Sequence, residues 1–257
     1  MTVEYVQILG VRIENRSMVE AVELLARRMT QPGTATAVFI VNAHTLNLAA
    51  GDPQYRDALA RGDYIFGDGV GVRWAARMRG ARMASNLVGT DLVPELLDAT
   101  SGRGHRLFLL GGDSRTLESA AAACEKRFPG WQLAGTHDGY FGQDHRKVID
   151  TINRTRPSLL LVGMGNPLQE SWLARYRDQL EVPVCIGVGG LFHHWGGDLA
   201  RAPLWVRRAS LEWLQILLQQ PHKWRRYLLG NPLFLWRVAR TRRREALRSK
   251  TAERRAA

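Results

Sequence analysis

The stretch "IFGDGVGV", residues 65–72, places one carboxylate, Asp68, among three glycines. A strand-like apolar segment precedes it and a helix-like segment follows, so the pattern predicts an exposed carboxylate at a strand end. Such a group could act as a general base towards a hydroxyl, or it could only stabilise the turn or cap the helix. A dinucleotide-binding loop does not fit, because Val72 stands where that fingerprint has its third glycine.

A second glycine-rich strand end, "LLGGDSRTLES", contains Gly111 and Gly112 before a helix start. Backbone N–H groups at a helix N-terminus, together with the helix dipole, suit a phosphate. Close packing of a strand against a helix also uses glycine at this place. Phosphate binding and close packing therefore stay open as alternatives.

A third strand end, "LVGMGNPLQESW", contains Gly163 and Gly165 and is followed directly by polar side chains. Gln169 and Glu170 open the next helix, and they could direct polar groups into a cleft. Capping of that helix by Asn166 and Glu170 is the alternative.

The sequence offers no credible metal site. His193 and His194 are adjacent and cannot easily chelate one ion from a regular element, and the two cysteines lack zinc spacing. There is no Asp-x-Asp, no Gly-x-Ser-x-Gly and no Walker loop. These patterns predict catalysis without a metal or other cofactor.

The elements that would position these residues follow a regular pattern. Apolar strands alternate with helices, most clearly from residue 104 onwards, which indicates an α/β fold with a mostly parallel sheet and helices on both faces. Such sheets bind ligands beyond the carboxyl ends of their strands. "VQILGVRIE" predicts a short strand or hairpin, and Thr90 is a candidate cap for the helix "GTDLVPELLDATSG". We expect a catalytic domain over 1–200, in two lobes of 1–102 and 103–200, and an appendage over 201–257.

The net charge of +12 is confined to that appendage. Residues 1–200 contain 21 basic and 21 acidic residues, whereas residues 201–257 contain 15 basic and 3 acidic residues. The two cysteines fit a reducing compartment, and neither a signal peptide nor a spanning helix is expected. The polycationic segment predicts an anionic partner, either a membrane or a nucleic acid.

The composition of this segment favours the membrane. Large aliphatic residues and tryptophans alternate with arginines in "RAPLWVRRASLEWLQILLQQPHKWRRYLLGNPLFLWRVARTRRR", as is typical of a lipid interface. A nucleic-acid site and an ordinary core helix with a disordered basic tail are the alternatives. Predicted contacts with the membrane are Arg207, Arg208, Trp213, Trp224, Arg225 and Arg226.

Nine segments together resemble the WecG/TagA/CpsF family, glycosyltransferase family 26, over about residues 5–229. They are "VNAHTLNLA", "DGVGV", "VGTDLVPELL", "FLLGG", "GYF", "VGMGNPLQESW", "GVGGLF", "RAPLWVRRASLEWL" and "PHKWRRYL". The resemblance implies a Rossmann-like fold with a C-terminal appendage that touches the membrane. It also implies transfer of a sugar from a UDP-sugar onto a polyprenyl-diphosphate-linked saccharide, in bacterial cell-surface or exopolysaccharide synthesis. The enzyme would lie at the cytoplasmic face of the plasma membrane as a peripheral protein.

The resemblance also assigns residues. Asp68 matches the family's candidate catalytic base, and Asn42 and Gln169 match pocket residues. The full set of substrate-binding candidates is Asn42, Gly69, Gly71, Asn86, Asp91, Gly111, Gly112, Gly163, Gly165, Gln169, Glu170 and Arg201. No nucleic-acid partner is implied, and a homo-oligomer is left open.

Three positions depart from the family pattern: Ile40 replaces a threonine, Asn86 an arginine and His193 an aspartate. These changes concern the contact with the acceptor diphosphate or the identity of the donor. The resemblance implies an N-acetylmannosamine-type donor, and the three departures make glucose the alternative. A nucleotide-dependent enzyme of another class, or a binding protein with a basic tail, would be the competing functions.

Overall fold

The computed structural model describes residues 5–31, 33–208 and 211–256. Its centre is one eight-stranded sheet with the order β1-β2-β4-β3-β8-β7-β5-β6. All pairs are parallel except the hairpin of β1 and β2, which the sequence predicted. The strands are β1 (Tyr5–Ile8), β2 (Val11–Glu14), β3 (Thr36–Val41), β4 (Tyr64–Gly67), β5 (Arg106–Gly111), β6 (Gln132–His137), β7 (Leu159–Gly163) and β8 (Val184–Gly187).

Twelve α-helices lie within the described residues: α1 (Met18–Arg28), α2 (Ala43–Gly51), α3 (Pro53–Ala60), α4 (Gly69–Met78), α5 (Gly89–Ala99), α6 (Ser114–Arg127), α7 (His145–Thr155), α8 (Leu168–Tyr176), α9 (Leu191–Trp195), α10 (Leu204–Arg208), α11 (Glu212–Gln219) and α12 (Gly230–Ala256). Short 3₁₀ turns occupy Arg177–Gln179 and Pro221–Lys223, and a π-helical turn occupies Arg225–Leu229.

Helices cover both faces of the sheet, as the sequence predicts for strands that are continuous apolar runs. Helices α2, α3, α4, α7, α8 and α12 pack on one face. Helices α1, α5, α6 and α9 pack on the other. The apolar side chains of β3, β5, β7 and β8 are buried on both sides, which is the reason why these strands show no alternation in sequence.

The two predicted lobes share this sheet. Strand β3, from the first lobe, pairs with β8, from the second, with Thr36 opposite Val184 and Phe39 opposite Gly187. Residues 1–102 and 103–200 therefore form the two ends of one continuous layer, and the carboxyl ends of their strands meet at a common edge.

Adjacent strands leave that edge towards opposite faces. Strand β5 leads to α6 on one face, and its neighbour β7 leads to α8 on the other. Such a divergence opens a crevice beyond the carboxyl ends. The strands approach closely there, since a Cβ on Gly111 would lie 2.5 Å from the carbonyl carbon of Gly163. The φ of +123° at Gly111 also disfavours any side chain.

The appendage is helical, and its last helix belongs to the core. Phe234 and Val238 of α12 are 0% and 1% exposed and pack in the cluster formed with α2 and α4. Arg237 donates to the backbone oxygen of Asn47 at 2.8 Å, and Asn47 Nδ2 donates to the backbone oxygen of Gly230 at 2.7 Å. Among the described residues, no helix is long and apolar enough to cross a membrane.

Candidate active site

Asp68 follows β4 directly and stands at the N-cap position of α4. Its side chain makes no capping hydrogen bond, although its backbone N–H donates to Val41 O at 2.8 Å. Its carboxyl is thus not used to cap the helix, the simplest alternative to a chemical role. The side chain is partly buried rather than exposed as the sequence suggested, because the appendage packs over the strand end.

Burial raises the pKa of Asp68 to about 7, and the negative charges of Glu212 and Asp91 add to this increase. The guanidinium of Arg226 and a hydrogen bond from Asn42 act in the opposite direction. A carboxyl with a pKa near neutrality can accept a proton efficiently at physiological pH.

Asn42 ends β3 and caps α2. Its Oδ1 accepts from the backbone N–H groups of His44 at 3.0 Å and Thr45 at 3.2 Å. With the oxygen so engaged, the amide nitrogen is the group that can donate to Asp68. Asn42 therefore orients the carboxylate and anchors the helix that follows.

Asn86 also supports the Asp68 turn. Its Oδ1 accepts a hydrogen bond of 2.6 Å from the backbone N–H of Gly69, whose φ is +87°. Gly71 allows α4 to approach α2, since a Cβ there would lie 3.0 Å from that of Ala43. In the structure these three predicted substrate-binding residues shape the turn that carries Asp68.

Asp91, in the first turn of α5, is the centre of a charged cluster between body and appendage. Its Oδ1 lies 2.7 Å from Arg201 Nη2 and 3.2 Å from Arg207 Nη1. Arg201 Nη1 also donates to the backbone oxygen of Thr90 at 2.6 Å, and Arg201 Nε lies 3.9 Å from Glu212 Oε1. The predicted substrate residues Asp91 and Arg201 thus bind each other, together with Arg207.

Thr90 does not cap α5, which corrects the sequence prediction. The helix begins at Gly89 with Val88 at its N-cap position, and no side chain caps it. The hydroxyl of Thr90 is buried without a hydrogen-bond partner in the structure.

Three residues near Asp68 were missed by the sequence analysis. Glu212 of α11 is partly buried, and its pKa is raised by burial. Burial, together with Arg226 and Lys223, lowers the pKa of His44 to about 4, so its imidazole is neutral at physiological pH. Burial raises the pKa of Tyr227, and Asp68 and Glu212 contribute. One signal pointed to Glu212: it is one of only three acidic residues in the basic segment 201–257.

Gly111, the last residue of β5, is closely packed, which favours one of the two alternatives left open above. Gly111 fits tightly against Gly163, and Asp113, which follows Gly112, caps α6. Asp113 Oδ1 accepts from Thr116 N at 2.9 Å, so a carboxylate already occupies the N-terminus of that helix. A phosphate at this N–H group would meet a negative charge, and phosphate binding by Gly111 and Gly112 stays a prediction that this geometry disfavours.

Gln169 and Glu170 do not point into an open cleft, contrary to the sequence expectation. They are 1% and 0% exposed. Nor do Asn166 and Glu170 cap α8, because Pro167 occupies the N-cap position and no side chain bonds there. Tyr55 on α3 and Gly187 on β8 contact this first turn, and the polarity of Gln169 and Glu170 did not reveal these contacts. Gly165, with φ +78° and no atom within 4 Å of a Cβ position, remains at the open strand end.

A family model for the glycosyltransferase WecG/TagA/CpsF family matches residues 6–248. The chain belongs to this family. Three relatives are named N-acetylglucosaminyldiphosphoundecaprenol N-acetyl-beta-D-mannosaminyltransferase. That of Bacillus subtilis strain 168 is 30% identical over 83% of this chain and 83% of its own. That of Bacillus spizizenii is 33% identical over 76% and 75%. That of Staphylococcus aureus strain MW2 is 31% identical over 93% and 94%.

Three positions at which the sequence analysis expects departures from the family pattern lie near the carboxyl ends of β3, β4 and β8 in this glycosyltransferase. Ile40 lies at the end of β3, where its Cδ1 would be 3.3 Å from a Cβ on Gly89 of α5. His193 Nδ1 lies 3.2 Å from Asp198 Oδ2, which also accepts from Thr116 Oγ1 at 3.0 Å. Asn86 binds the Asp68 turn as described. These three positions therefore carry an apolar side chain, a neutral amide and an imidazole.

The appendage exposes many large apolar side chains. Trp224 and Trp236 are 45% and 54% exposed, and Arg225 and Arg240 lie over their rings at 5.4 Å and 5.0 Å. Other exposed apolar residues here are Leu204, Trp205, Leu211, Leu214, Leu218, Leu228, Leu229, Leu233 and Leu247.

Three of the remaining predicted contact residues of the appendage face inwards. Trp213 is partly buried with its ring 6.3 Å from that of Tyr227, and Arg226 is partly buried beside Asp68. Arg207 pairs with Asp91. The side chain of Arg208 lies outside the described part of the chain. Among described residues, no three His, Cys, Asp or Glu side chains are grouped so that they could hold a metal ion.

Proposed function

We propose that this glycosyltransferase moves a sugar from a UDP-sugar onto a polyprenyl-diphosphate-linked saccharide, with Asp68 as the general base. The observation that carries the proposal is the uncapped Asp68 carboxyl, whose pKa is raised to about 7 by burial although Arg226 of the appendage acts in the opposite direction. Asp68 takes the proton of the acceptor hydroxyl while the oxygen of that hydroxyl attacks the anomeric carbon of the donor sugar. The bond from that carbon to the UDP oxygen breaks, and UDP leaves with the bonding electron pair.

The negative charge of the leaving diphosphate needs compensation. Arg201, Arg207 and Arg226 supply fixed positive charge on the appendage side of the cleft. Preorganised cations of this kind stabilise a developing anion without a metal. We therefore include metal-independent catalysis in the proposal.

The donor is proposed to be UDP-N-acetylmannosamine, on the names of the three relatives, which are N-acetylmannosaminyltransferases. The same names support a GlcNAc-diphospho-undecaprenol acceptor, in synthesis of a bacterial cell-surface polymer. UDP-glucose is the second candidate donor, because Ile40, Asn86 and His193 change the chemistry of the cleft edge.

The acceptor lipid fits a peripheral position at the cytoplasmic face of the plasma membrane. Exposed Trp, Leu and Arg side chains of the appendage would enter the headgroup region. Arg226 and Glu212 of the same appendage act on Asp68, so the cleft at Asp68 would lie next to that region. The appendage would thereby bring Asp68 to the surface in which the acceptor resides.

The test is a matrix of donors and acceptors. Purified full-length protein is incubated with UDP-N-acetylmannosamine, UDP-glucose or UDP-N-acetylglucosamine and with short-chain polyprenyl-diphospho-GlcNAc, and the product mass is determined. We expect one added N-acetylhexosamine or hexose and stoichiometric UDP. Hydrolysis of every donor without a glycosylated lipid, or no UDP release at all, would overturn the proposal.

A further inference from the structure

The buried polar cluster below the strand ends has no role in the proton transfer described above. It consists of Tyr55 on α3 and of Asn166, Gln169 and Glu170 at the start of α8. We propose that Glu170, held by Tyr55, is a positioning residue that fixes the two loops forming the wall of the donor crevice. This inference rests on the proposed function in one respect: it takes the crevice between β5 and β7 as the place where the UDP-sugar of that function binds.

Both carboxylate oxygens of Glu170 accept hydrogen bonds in this cluster. Its Oε1 accepts from Asn166 Nδ2 at 2.6 Å and from Gln169 Nε2 at 2.7 Å, and its Oε2 accepts from Tyr55 Oη at 2.9 Å. Tyr55 is 2% and Glu170 0% exposed, so water does not compete for these bonds. Such a satisfied buried network is rigid, and loss of one member leaves others unpaired.

The carboxylate determines which way the Gln169 amide faces. Because Nε2 donates to Glu170, Oε1 must point to the opposite side, where it accepts from the backbone N–H groups of Gly165 at 3.2 Å and Gly189 at 3.0 Å. If the amide were reversed, its NH₂ would face two N–H donors. The amide is also closely packed, since a Cβ on Gly187 would lie 3.0 Å from Nε2.

The two backbone groups belong to different loops. Gly165 lies between β7 and α8, and Gly189 lies between β8 and α9. Gln169 thus ties together the loops that leave two adjacent strands on opposite faces, beside the crevice between β5 and β7. A wall that shifts by about 1 Å can cost roughly 100-fold in rate, even when no reacting group is changed.

Three variants separate hydrogen bonding from charge. Glu170→Gln can present an oxygen to Asn166 and Gln169, so it keeps the orientation of the Gln169 amide without the charge. Its NH₂ can donate to Tyr55 Oη, and the Tyr55 hydroxyl proton then loses its carboxylate acceptor. Glu170→Ala removes every acceptor. Tyr55→Phe removes one donor and is the milder change if Glu170→Ala does not fold.

The matched control is Trp131→Phe. It removes another buried hydrogen bond, of 2.9 Å from Trp131 Nε1 to Leu97 O, at the amino end of β6 and away from the crevice. A general loss of stability would show in this variant as well.

Two readouts are measured for each variant: amide hydrogen exchange of Gly165 and Gly189, and kcat and KM for donor and acceptor. We expect Glu170→Ala and Tyr55→Phe to speed exchange at both glycines by about 10-fold or more. We also expect kcat/KM for the donor to fall by roughly 10–100-fold, chiefly through KM, with the acceptor KM little changed. Glu170→Gln should remain within a few-fold of wild type, and Trp131→Phe should change neither readout.

Several results would overturn the proposal. The first is unchanged amide exchange and unchanged donor KM in a folded Tyr55→Phe or Glu170→Ala variant. The second is an equal effect of Trp131→Phe on these two readouts. The third is a Glu170→Gln variant whose exchange and donor KM are as impaired as those of Glu170→Ala. An inactive wild-type enzyme would instead count against the proposed function, because the exchange measurement on Gly165 and Gly189 tests the positioning role without substrate.

Discussion

Asp68 owes its proton affinity to its surroundings and not to its own turn. An aspartate at a helix N-terminus is ordinarily stabilised as an anion by the helix dipole. Here burial and the charge of Glu212 prevail over the cation Arg226 and bring the pKa to about 7. Two consequences can be tested: the effect of replacing Asp68, and the dependence of the rate on pH.

Replacement of Asp68 by Asn should remove the base while leaving the backbone turn in place. The amide is nearly isosteric and Asp68 makes no capping bond that would be lost. We expect turnover to fall by about 10²–10⁴, the usual contribution of acid–base catalysis, with UDP binding within a few-fold of wild type. Calorimetric titration with UDP and initial rates measure the two quantities. Turnover near the wild-type value would reduce Asp68 to a structural residue.

The pH dependence should follow the same carboxyl. A general base works when deprotonated, so kcat/KM should rise with pH up to about 7 and level off above it. Glu212→Gln removes a negative charge that raises this pKa, and the midpoint should therefore move to lower pH. Rate profiles of both proteins between pH 5 and 9 provide the check. A Glu212→Gln midpoint that stays in place or moves upward would contradict this assignment of the coupling.

At the level of elements, α12 contributes to the body as much as to the appendage. Its Phe234 and Val238 are buried against α2 and α4, and Arg237 bonds to Asn47. Removing the chain after residue 200 would therefore expose part of the core, and point substitutions are the better means of separating anchoring from folding.

Phe234→Ala should destabilise the protein by about 3–5 kcal/mol, the range found when a buried phenylalanine leaves a cavity. Trp236→Ala, two residues further on, removes a ring that is 54% exposed and should change the free energy of unfolding by less than about 1 kcal/mol. Urea denaturation of both variants makes the comparison. Equal losses would mean that α12 is not anchored through Phe234.

The sequence predicted those elements whose signal is local. Continuous apolar runs marked the parallel strands, and the order of Gly-rich strand ends located the edge that carries Asp68. Thr90 was mistaken for a cap because capping depends on backbone dihedrals that a lone threonine does not reveal. Gln169 and Glu170 were placed in the cleft because their burial depends on Tyr55, which is distant in sequence. Glu212 was missed for the same reason, since only the fold brings its carboxyl close enough to Asp68 to raise the pKa of that residue.

At the scale of the whole molecule, charge separates the protein into a neutral body and a basic appendage. The two parts are not independent, because Asp91 of the body binds Arg201 and Arg207 of the appendage. A diphosphate entering the cleft would compete with Asp91 for these two arginines. The same ion pairs would therefore affect both the packing of the appendage on the body and the binding of the diphosphate.

Metal independence, proposed above, is a prediction about the arrangement as a whole. Arg201 and Arg207 are clustered at Asp91, and no group of three possible metal ligands occurs among the described residues. We expect initial rates within about two-fold in the presence of excess EDTA, because cations of the protein can stabilise the leaving diphosphate. Full loss of activity with EDTA, restored by Mg²⁺ or Mn²⁺, would contradict this prediction.

Membrane docking should combine two separable contributions. Each Lys or Arg close to an anionic leaflet contributes about 1 kcal/mol, and salt weakens this part. Burial of exposed rings and aliphatic side chains such as Trp236 and Leu229 adds a part that salt does not weaken. In vesicle flotation, the full-length protein should float with liposomes containing anionic lipid, and high salt should reduce the floating fraction without abolishing it.

Trp236→Ser combined with Leu229→Ser should remove most of the salt-resistant fraction. The matched control is Val19→Ser, which removes a 65% exposed apolar side chain from α1 on the opposite face of the sheet and should float like the wild type. Wild-type protein that stays in the soluble fraction would contradict membrane docking. Tighter binding to DNA than to vesicles would do so as well, and would make a nucleic acid the partner of the basic appendage.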